Sequence, residues 1–310
     1  MLIALAGQFD PEVSVQLSVA HEVIPFDRSA SRARMIEVLV TRGSLRVDKP
    51  LLEALPRLRL IVKAGSGLDS IDIEEAGRRG VAVLRTAGSA RSVAEQAFAL
   101  LFAVLRNVPA FDAAVRRGEW ASKERFVGRL VSGRRLGVVG FGEIGREVAE
   151  LGAGLGMSVH VHDRSPERPE KAATIQRLGI TLCGSLDELL SRSDVLSLHV
   201  PDEGARLLDE AALARLPAGA ILINTARAGL VDQAALLAAL AGGRLAGAGL
   251  DVHPDEEKDA PDPLRQLENV VLSPHVGAQS VEARAEIGRR IVSSVQAFTA
   301  SVREHEPCAS

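Results

Sequence analysis

The stretch "LGVVGFGEIGREVA", residues 136 to 149, decides the fold. It opens as an apolar run of strand length, turns through three glycines and continues as a helical pattern. Gly140, Gly142 and Gly145 therefore stand as G-x-G-x-x-G between a strand and a helix. Each glycine has its own physical task. Gly140 permits the tight turn, Gly142 lets the backbone approach a pyrophosphate, and Gly145 allows the helix to pack closely. The backbone around Phe141, Glu143 and Ile144 opens the helix, and its N–H groups present a partial positive charge to phosphates.

The next apolar run, "SVHVH" (158 to 162), ends at Asp163. That is close to the spacing of about 20 residues at which an acid accepts hydrogen bonds from the adenine ribose hydroxyls. Its charge would repel a 2′-phosphate, so the reading favours NAD, with NADP less favoured and Arg164 beside the acid as the feature that speaks for it.

Working outward, short runs rich in Val, Ile and Leu alternate with helical patterns, the signature of βαβ units and parallel sheets buried on both faces. The early runs are "LIALA" (2 to 6), "EVLV" (37 to 40), "LRLIV" (58 to 62) and "VAVL" (81 to 84). A helix is expected from Ser92 to Val108, with Ser92 as N-cap and Glu95 completing a capping box. A second series follows at "RLGVVG" (135 to 140), "SVHVH", "DVLSLHV" (194 to 200), "AILIN" (220 to 224), "LAGAGLDV" (245 to 252) and "VVLS" (270 to 273). The last segment, "SVEARAEIGRRIVSSVQAFT", reads as a long amphipathic helix with no strand after it, placed to return to the first domain.

Bulk properties bound the function. The 310 residues exceed what one core usually serves, so two α/β domains with doubly wound parallel sheets are expected. A net charge of -3 with no basic block lacks the footprint of a nucleic-acid binder. No apolar window approaches the ~18 residues of a spanning helix, and the start "MLIALAGQFDPEV" lacks a basic leader, so a cytoplasmic protein with no membrane partner is expected. Cys183 and Cys308 cannot make a disulfide framework and show no metal-ligand spacing, so no metal is expected. Tyrosine is absent and aromatics are only 3%, which disfavours broad stacking platforms.

In a doubly wound sheet, ligands lie outside the carboxyl ends of the strands. "AILINTAR" delivers Arg227 there, "LAGAGLDVHPDEE" delivers Asp251 and then Glu256, and "VVLSPHVG" delivers His275. A guanidinium holds a carboxylate bidentately and polarises the neighbouring carbonyl. An imidazole exchanges a proton near neutral pH, and a carboxylate on its far nitrogen fixes the tautomer and favours the protonated form. The set fits hydride transfer on a small 2-oxo or 2-hydroxy acid, with His199 and His253 as competing acid/base candidates.

Together, "AGSGLDSIDIEEAGRRGVAV", "RSVAEQAFALL", "LGVVGFGEIGREVA", "SDVLSLHVP", "ILINTARAGLVDQAAL", "GAGLDVHPDEE" and "LSPHVGAQS" make the chain resemble the D-isomer-specific 2-hydroxyacid dehydrogenases over nearly its whole length. That family includes phosphoglycerate dehydrogenase and glyoxylate/hydroxypyruvate reductase. The resemblance implies Arg227, Glu256 and His275 as catalytic residues. It implies dinucleotide contacts from the glycine loop, Asp163, Arg164, His199, Val200, Pro201, Thr225, Ala226, Arg227, Asp251, His275 and Gly277. It also implies substrate contacts from Arg227, His275 and the loop Lys63, Ala64, Gly65, Ser66 and Gly67, whose N–H groups are offered to the substrate carboxylate. Lys63 reads either as a cation for a phosphorylated or dicarboxylic substrate or as a surface lysine.

The implied architecture is a flavodoxin-like substrate domain (1–97 and 280–310), a Rossmann NAD-binding domain (98–279), and a homodimer of a short form without a regulatory domain. Departures stand beside the matches. Ala228 replaces a usual glycine, His253 replaces a common aromatic, "TAGSARSVAE" is shortened and lacks an asparagine, and "HVPDEGARLL" is abbreviated. Glu256 disfavours the formate dehydrogenases. Rival readings are an NAD(H)-sensing interaction protein like the C-terminal binding protein corepressors, and a phosphonate-oxidising relative.

Overall fold

The computed structural model describes residues 1–43, 45–65, 67–86, 88–124, 127–254 and 262–305. The chain forms two compact units, Met1–Ser89 with Ala278–Ser310, and Ala90–Gly277. Both are built on parallel sheets whose strands bury side chains on two faces, which is why their sequences read as nearly continuous apolar runs.

In the first unit, β1 (Leu2–Ala6), α1 (Pro11–Ser18), β2 (Glu22–Pro25), β3 (Val38–Thr41), α2 (Lys49–Ala54), β4 (Leu60–Ala64), α3 (Ile73–Arg78) and β5 (Ala82–Thr86) give one parallel sheet in the order β2-β1-β3-β4-β5. This is the flavodoxin-like order. Asp10, Asp48 and Asp72 start the three helices, each accepting a hydrogen bond from a first-turn N–H. Strand β2 was not expected from sequence. It pairs along one side only and is half exposed, so it carries no run of buried apolar residues.

The second unit contains α4 (Ala90–Arg106), α5 (Val108–Arg116), β6 (Arg135–Val139), α6 (Glu143–Gly154), β7 (Ser158–His162), α7 (Pro169–Leu178), β8 (Thr181–Leu182), α8 (Leu186–Ser191), β9 (Val195–Leu198), α9 (Glu210–Arg215), β10 (Ala220–Asn224), α10 (Gln233–Ala241), β11 (Leu245–Leu250) and β12 (Val270–Leu272). Its parallel sheet runs β12-β11-β10-β9-β6-β7-β8. Strand order reverses between β6 and β9, the switch point at which such sheets bind ligands. One core packs around Phe98, Leu101, Leu136 and Phe141, and a second around Leu190, Leu198, Leu222 and Leu236.

The start of α4 corrects the sequence reading. Ser92 is not its N-cap, because the helix begins at Ala90 and the Ser92 hydroxyl donates to Gly277 O at 2.7 Å. Glu95 does not close a capping box; its carboxylate takes Arg91 Nε at 2.8 Å. Residues 90–97, assigned by sequence to the first domain, are the opening turns of α4, and Ala94 and Ala97 lie in the second unit's core.

The chain then returns as α11 (Val281–His305), a helix of the first unit. Ile287, Ile291, Val292 and Val295 bury themselves against Ile3, Val38, Val40, Leu60 and Val62. Each such side chain, once fully buried, contributes about 1.5–3 kcal/mol. The opposite face of the same sheet is covered by Leu51, Leu52 and Ala76.

Candidate active site

The glycine loop joins β6 to α6. Gly140 has φ +87°, and a Cβ there would lie 2.5 Å from His199 O, so both the turn and the neighbouring strand end demand glycine. At Gly145 a Cβ would lie 2.1 Å from Gly140 O, which fixes how closely α6 returns over the loop. Gly142 differs. It is the N-cap of α6, with no side-chain cap, and a Cβ there would meet nothing within 4 Å. The space beside the helix N-terminus is open to a ligand, and the residues present fit a dinucleotide's phosphates. The Phe141 side chain is a core residue rather than a ligand surface, and its N–H is taken by Asp163.

Asp163 stands at the end of β7. Its carboxylate accepts from Phe141 N at 2.6 Å, Ser165 N at 2.8 Å and Lys171 Nζ at 2.5 Å. Burial pushes its carboxyl up, but the hydrogen bonds from Lys171, Phe141 and Ser165 and the Lys171 charge outweigh this and hold it at about 2. Arg164, beside it, forms an exposed pair with Glu203 at 2.5 Å.

The loop after β12 is built around Asp251. That residue is 1% exposed at the end of β11, and its carboxylate accepts from Ser273 Oγ at 2.5 Å and from Val276 N and Gly277 N at 2.9 Å. Ser273 Oγ also receives Gln96 Nε2 at 3.0 Å, and Ser273 O receives His253 Nε2 at 2.9 Å. Held at both ends, the loop carries His275 on the exposed side with φ +55°, a left-handed conformation uncommon outside glycine. Gln96 and Ser273 were not singled out by sequence, and Ser92 was read only as a helix N-cap. The only signal available was Ser273 directly before Pro274-His275.

Arg227 follows β10, half buried, with Nη1 donating to Ala226 O at 2.6 Å. Asn224 holds the turn beneath it, donating to Arg227 O at 2.9 Å and accepting from Ala226 N at 3.0 Å. Thr225 Oγ1 is buried with no hydrogen-bond partner among the described residues. Strand ends thus bring Gly140, Asp163, His199, Arg227, Asp251 and His275 to one edge of one sheet.

The competing histidines separate physically. Burial drives the His199 imidazole down to about 3, so it stays neutral, with Nε2 at 2.8 Å from Ser197 Oγ. It is no acid/base group near neutrality; its backbone and Val200 back the glycine loop, and Pro201 continues outward. His253 is spent on Ser273 O. In the first unit, Lys63 is not a surface lysine. It is buried in β4, with Nζ donating to Gly43 O at 2.6 Å and Ser70 Oγ at 2.9 Å. Ala64 and Gly65 follow it, and Gly65 N donates to Thr86 O at 3.0 Å. Gly67 is half buried. Ser66 and Glu256 lie outside the described residues.

Fold and site define a dinucleotide-binding α/β protein with an imidazole and a guanidinium at the ligand edge. Residues 98–277 match the model described as "D-isomer specific 2-hydroxyacid dehydrogenase, NAD binding domain", and the chain belongs to that family. NAD is accordingly the dinucleotide of the family to which residues 98–277 belong. The chain is 42% identical over 263 residues to D-3-phosphoglycerate dehydrogenase of Mycobacterium tuberculosis, matching 84% of this chain and 48% of that protein. It thus spans about half the length of that relative. It is 40% identical over 276 residues to glyoxylate reductase of Thermococcus litoralis, covering 86% and 82%. Among solved structures it superposes on D-lactate dehydrogenase of Aquifex aeolicus, complexed with NAD and lactic acid, with TM-score 0.86, 28% identity and coverage of 98% and 97%.

Proposed function

We propose that this protein is an NAD-dependent D-2-hydroxyacid dehydrogenase that interconverts a 2-oxo acid and the D-2-hydroxy acid. It is phosphoglycerate dehydrogenase-like or hydroxypyruvate/glyoxylate reductase-like, a reading supported by the names of the Mycobacterium tuberculosis and Thermococcus litoralis relatives. The observation that carries the reading is the loop fixed by Asp251, which presents His275 on the sheet edge shared by Arg227 and the glycine cradle.

A bound nicotinamide supplies or accepts the hydride. Arg227 clamps the substrate carboxylate bidentately and draws charge from the adjacent carbonyl. His275 gives a proton to the carbonyl oxygen during reduction and takes it back during oxidation. Glu256 orients His275 and favours its charged form, and of the 63–67 loop only the N–H groups beyond Gly65, whose own is taken by Thr86 O, are offered to the substrate carboxylate. Thr225 Oγ1 and the strand-end backbone of Ala226 line the dinucleotide side.

The same reading takes the protein as a cytoplasmic homodimer. Trp120, Val127 and Leu130 support self-association, since all three are exposed apolar side chains in the segment between α5 and β6.

Loss of reduced-nicotinamide absorbance, followed across hydroxypyruvate, glyoxylate, phenylpyruvate and 3-phosphohydroxypyruvate, tests the activity. Turnover of one acid, lost in Arg227→Ala, supports the dehydrogenase. Silence across the panel with tight NADH binding refutes it and favours a sensor.

A further inference from the structure

The acid read as the ribose ligand does not act as a lone negative charge. Lys171, in the first turn of α7, reaches Asp163 Oδ1 at 2.5 Å and Ser165 Oγ at 3.1 Å. The two side chains are only 9% and 10% exposed, so water screens the pair weakly. Ser165 N occupies the same Oδ1, and Phe141 N fixes Oδ2 to the glycine loop. Asp163 is therefore locked in one rotamer with a cation permanently against it.

Beside this pair sits a second cation. The Arg164 side chain is 73% exposed and is tied to Glu203, itself 58% exposed, at 2.5 Å. A surface ion pair of this kind contributes little and exchanges readily for another anion. Guanidinium groups match phosphate oxygens bidentately.

We propose that Lys171 sets nucleotide selectivity: by offsetting the Asp163 charge it lets the site accept a 2′-phosphorylated nicotinamide dinucleotide alongside the unphosphorylated one, with Arg164 as the phosphate's exposed partner. The assignment rests on reading residues 140–163 as the dinucleotide site. It changes what Asp163 means. The carboxylate still accepts from ribose hydroxyls, but its repulsion of a 2′-phosphate is largely cancelled at source. A full charge a few ångströms from a phosphate shifts a dissociation constant by about 10- to 100-fold, and the offset returns most of that factor.

Fluorescence titration of NADH and of NADPH onto the purified protein tests this without any turnover. For the unmodified chain the two dissociation constants are expected within about tenfold of each other. Lys171→Met is expected to weaken NADPH by about tenfold or more while NADH changes less than about threefold, and Lys171→Arg to restore the original ratio. Equal weakening of both ligands in Lys171→Met marks a merely structural lysine and overturns the assignment. So does an unmodified protein that rejects NADPH by more than about 100-fold relative to NADH.

If Lys171→Met does not fold, the double variant Asp163→Asn with Lys171→Met, which removes both charges of the pair, decides. A ratio moved by less than about threefold supports an acid already offset, whereas a shift toward NADPH of about tenfold or more shows an uncompensated repeller and overturns the proposal. Binding of neither ligand to the unmodified chain refutes the dinucleotide reading itself, and Lys171 falls with it.

Discussion

Asp251 and His275 are joined through the main chain: the two N–H groups that follow His275, those of Val276 and Gly277, both donate to the Asp251 carboxylate at 2.9 Å. The acid sets where the imidazole stands by fixing the peptide units behind it. Ser273 completes the brace from the other side of the histidine.

Asp251→Asn turns an amide NH₂ toward a backbone donor and leaves one buried N–H without an acceptor. Unfolding in urea is expected to show a loss of about 1–3 kcal/mol, whereas Ser273→Ala, which keeps both backbone bonds, loses about 0.5–1.5 kcal/mol. Turnover should fall further in the asparagine variant. Equal losses in the two variants would refute the backbone tie.

His275→Asn keeps a residue that tolerates the left-handed conformation at φ +55° but removes the acid/base group. Stability should stay within about 0.5 kcal/mol while turnover drops by about 10²–10⁴. A variant that retains most of its turnover would exclude His275 as the proton carrier.

The glycine loop separates ligand space from packing. Gly142→Ala adds a methyl to open space at φ −74°, so it should fold within about 0.5 kcal/mol of the parent yet bind NADH about tenfold or more weakly. Gly145→Ala drives a carbon against Gly140 O and should cost about 1–3 kcal/mol of stability. Calorimetry of both variants checks the contrast, and a destabilised Gly142→Ala would contradict it.

Burial lowers the His199 imidazole to about 3, against about 6.5 in an unfolded chain. Between those values the unfolded chain binds a proton that the folded chain does not, so stability falls as pH drops below about 6.5. The contribution is complete above that pH, and roughly 3 kcal/mol of it is gone by pH ~4. His199→Gln should flatten the slope of unfolding free energy over that range. An unchanged slope would assign the acid sensitivity elsewhere.

Strands buried on both faces were legible in sequence. "LIALA" and "AILIN" coincide with β1 and β10 because nothing but a run of apolar residues fits between two helical layers, whereas "SVHVH" marks β7 by alternation, its two valines buried and its serine exposed. β8 escaped notice for the opposite reason: its two residues are exposed at a sheet edge. Ser92 carried the signal of an N-cap but spends its hydroxyl on Gly277, a residue far away in sequence. Asp163 was readable from its spacing, whereas Lys171 was not, since no local pattern announces which lysine of a helix turns inward to an acid. Lys63 was left open between surface and site, and its burial in β4 depends on strand order, which periodicity does not encode.

The return of α11 to the first unit has a consequence for how the protein is born. Ile287, Ile291, Val292 and Val295 cover one side of a sheet whose strands lie in the first 86 residues. A ribosome adding about 5–20 residues per second needs roughly 10 to 40 seconds to make the intervening unit. Throughout that interval the strands of the first unit hold a greasy side covered only by Val13 and Leu17 of α1, and α11, made after the second unit, is the helix that closes it.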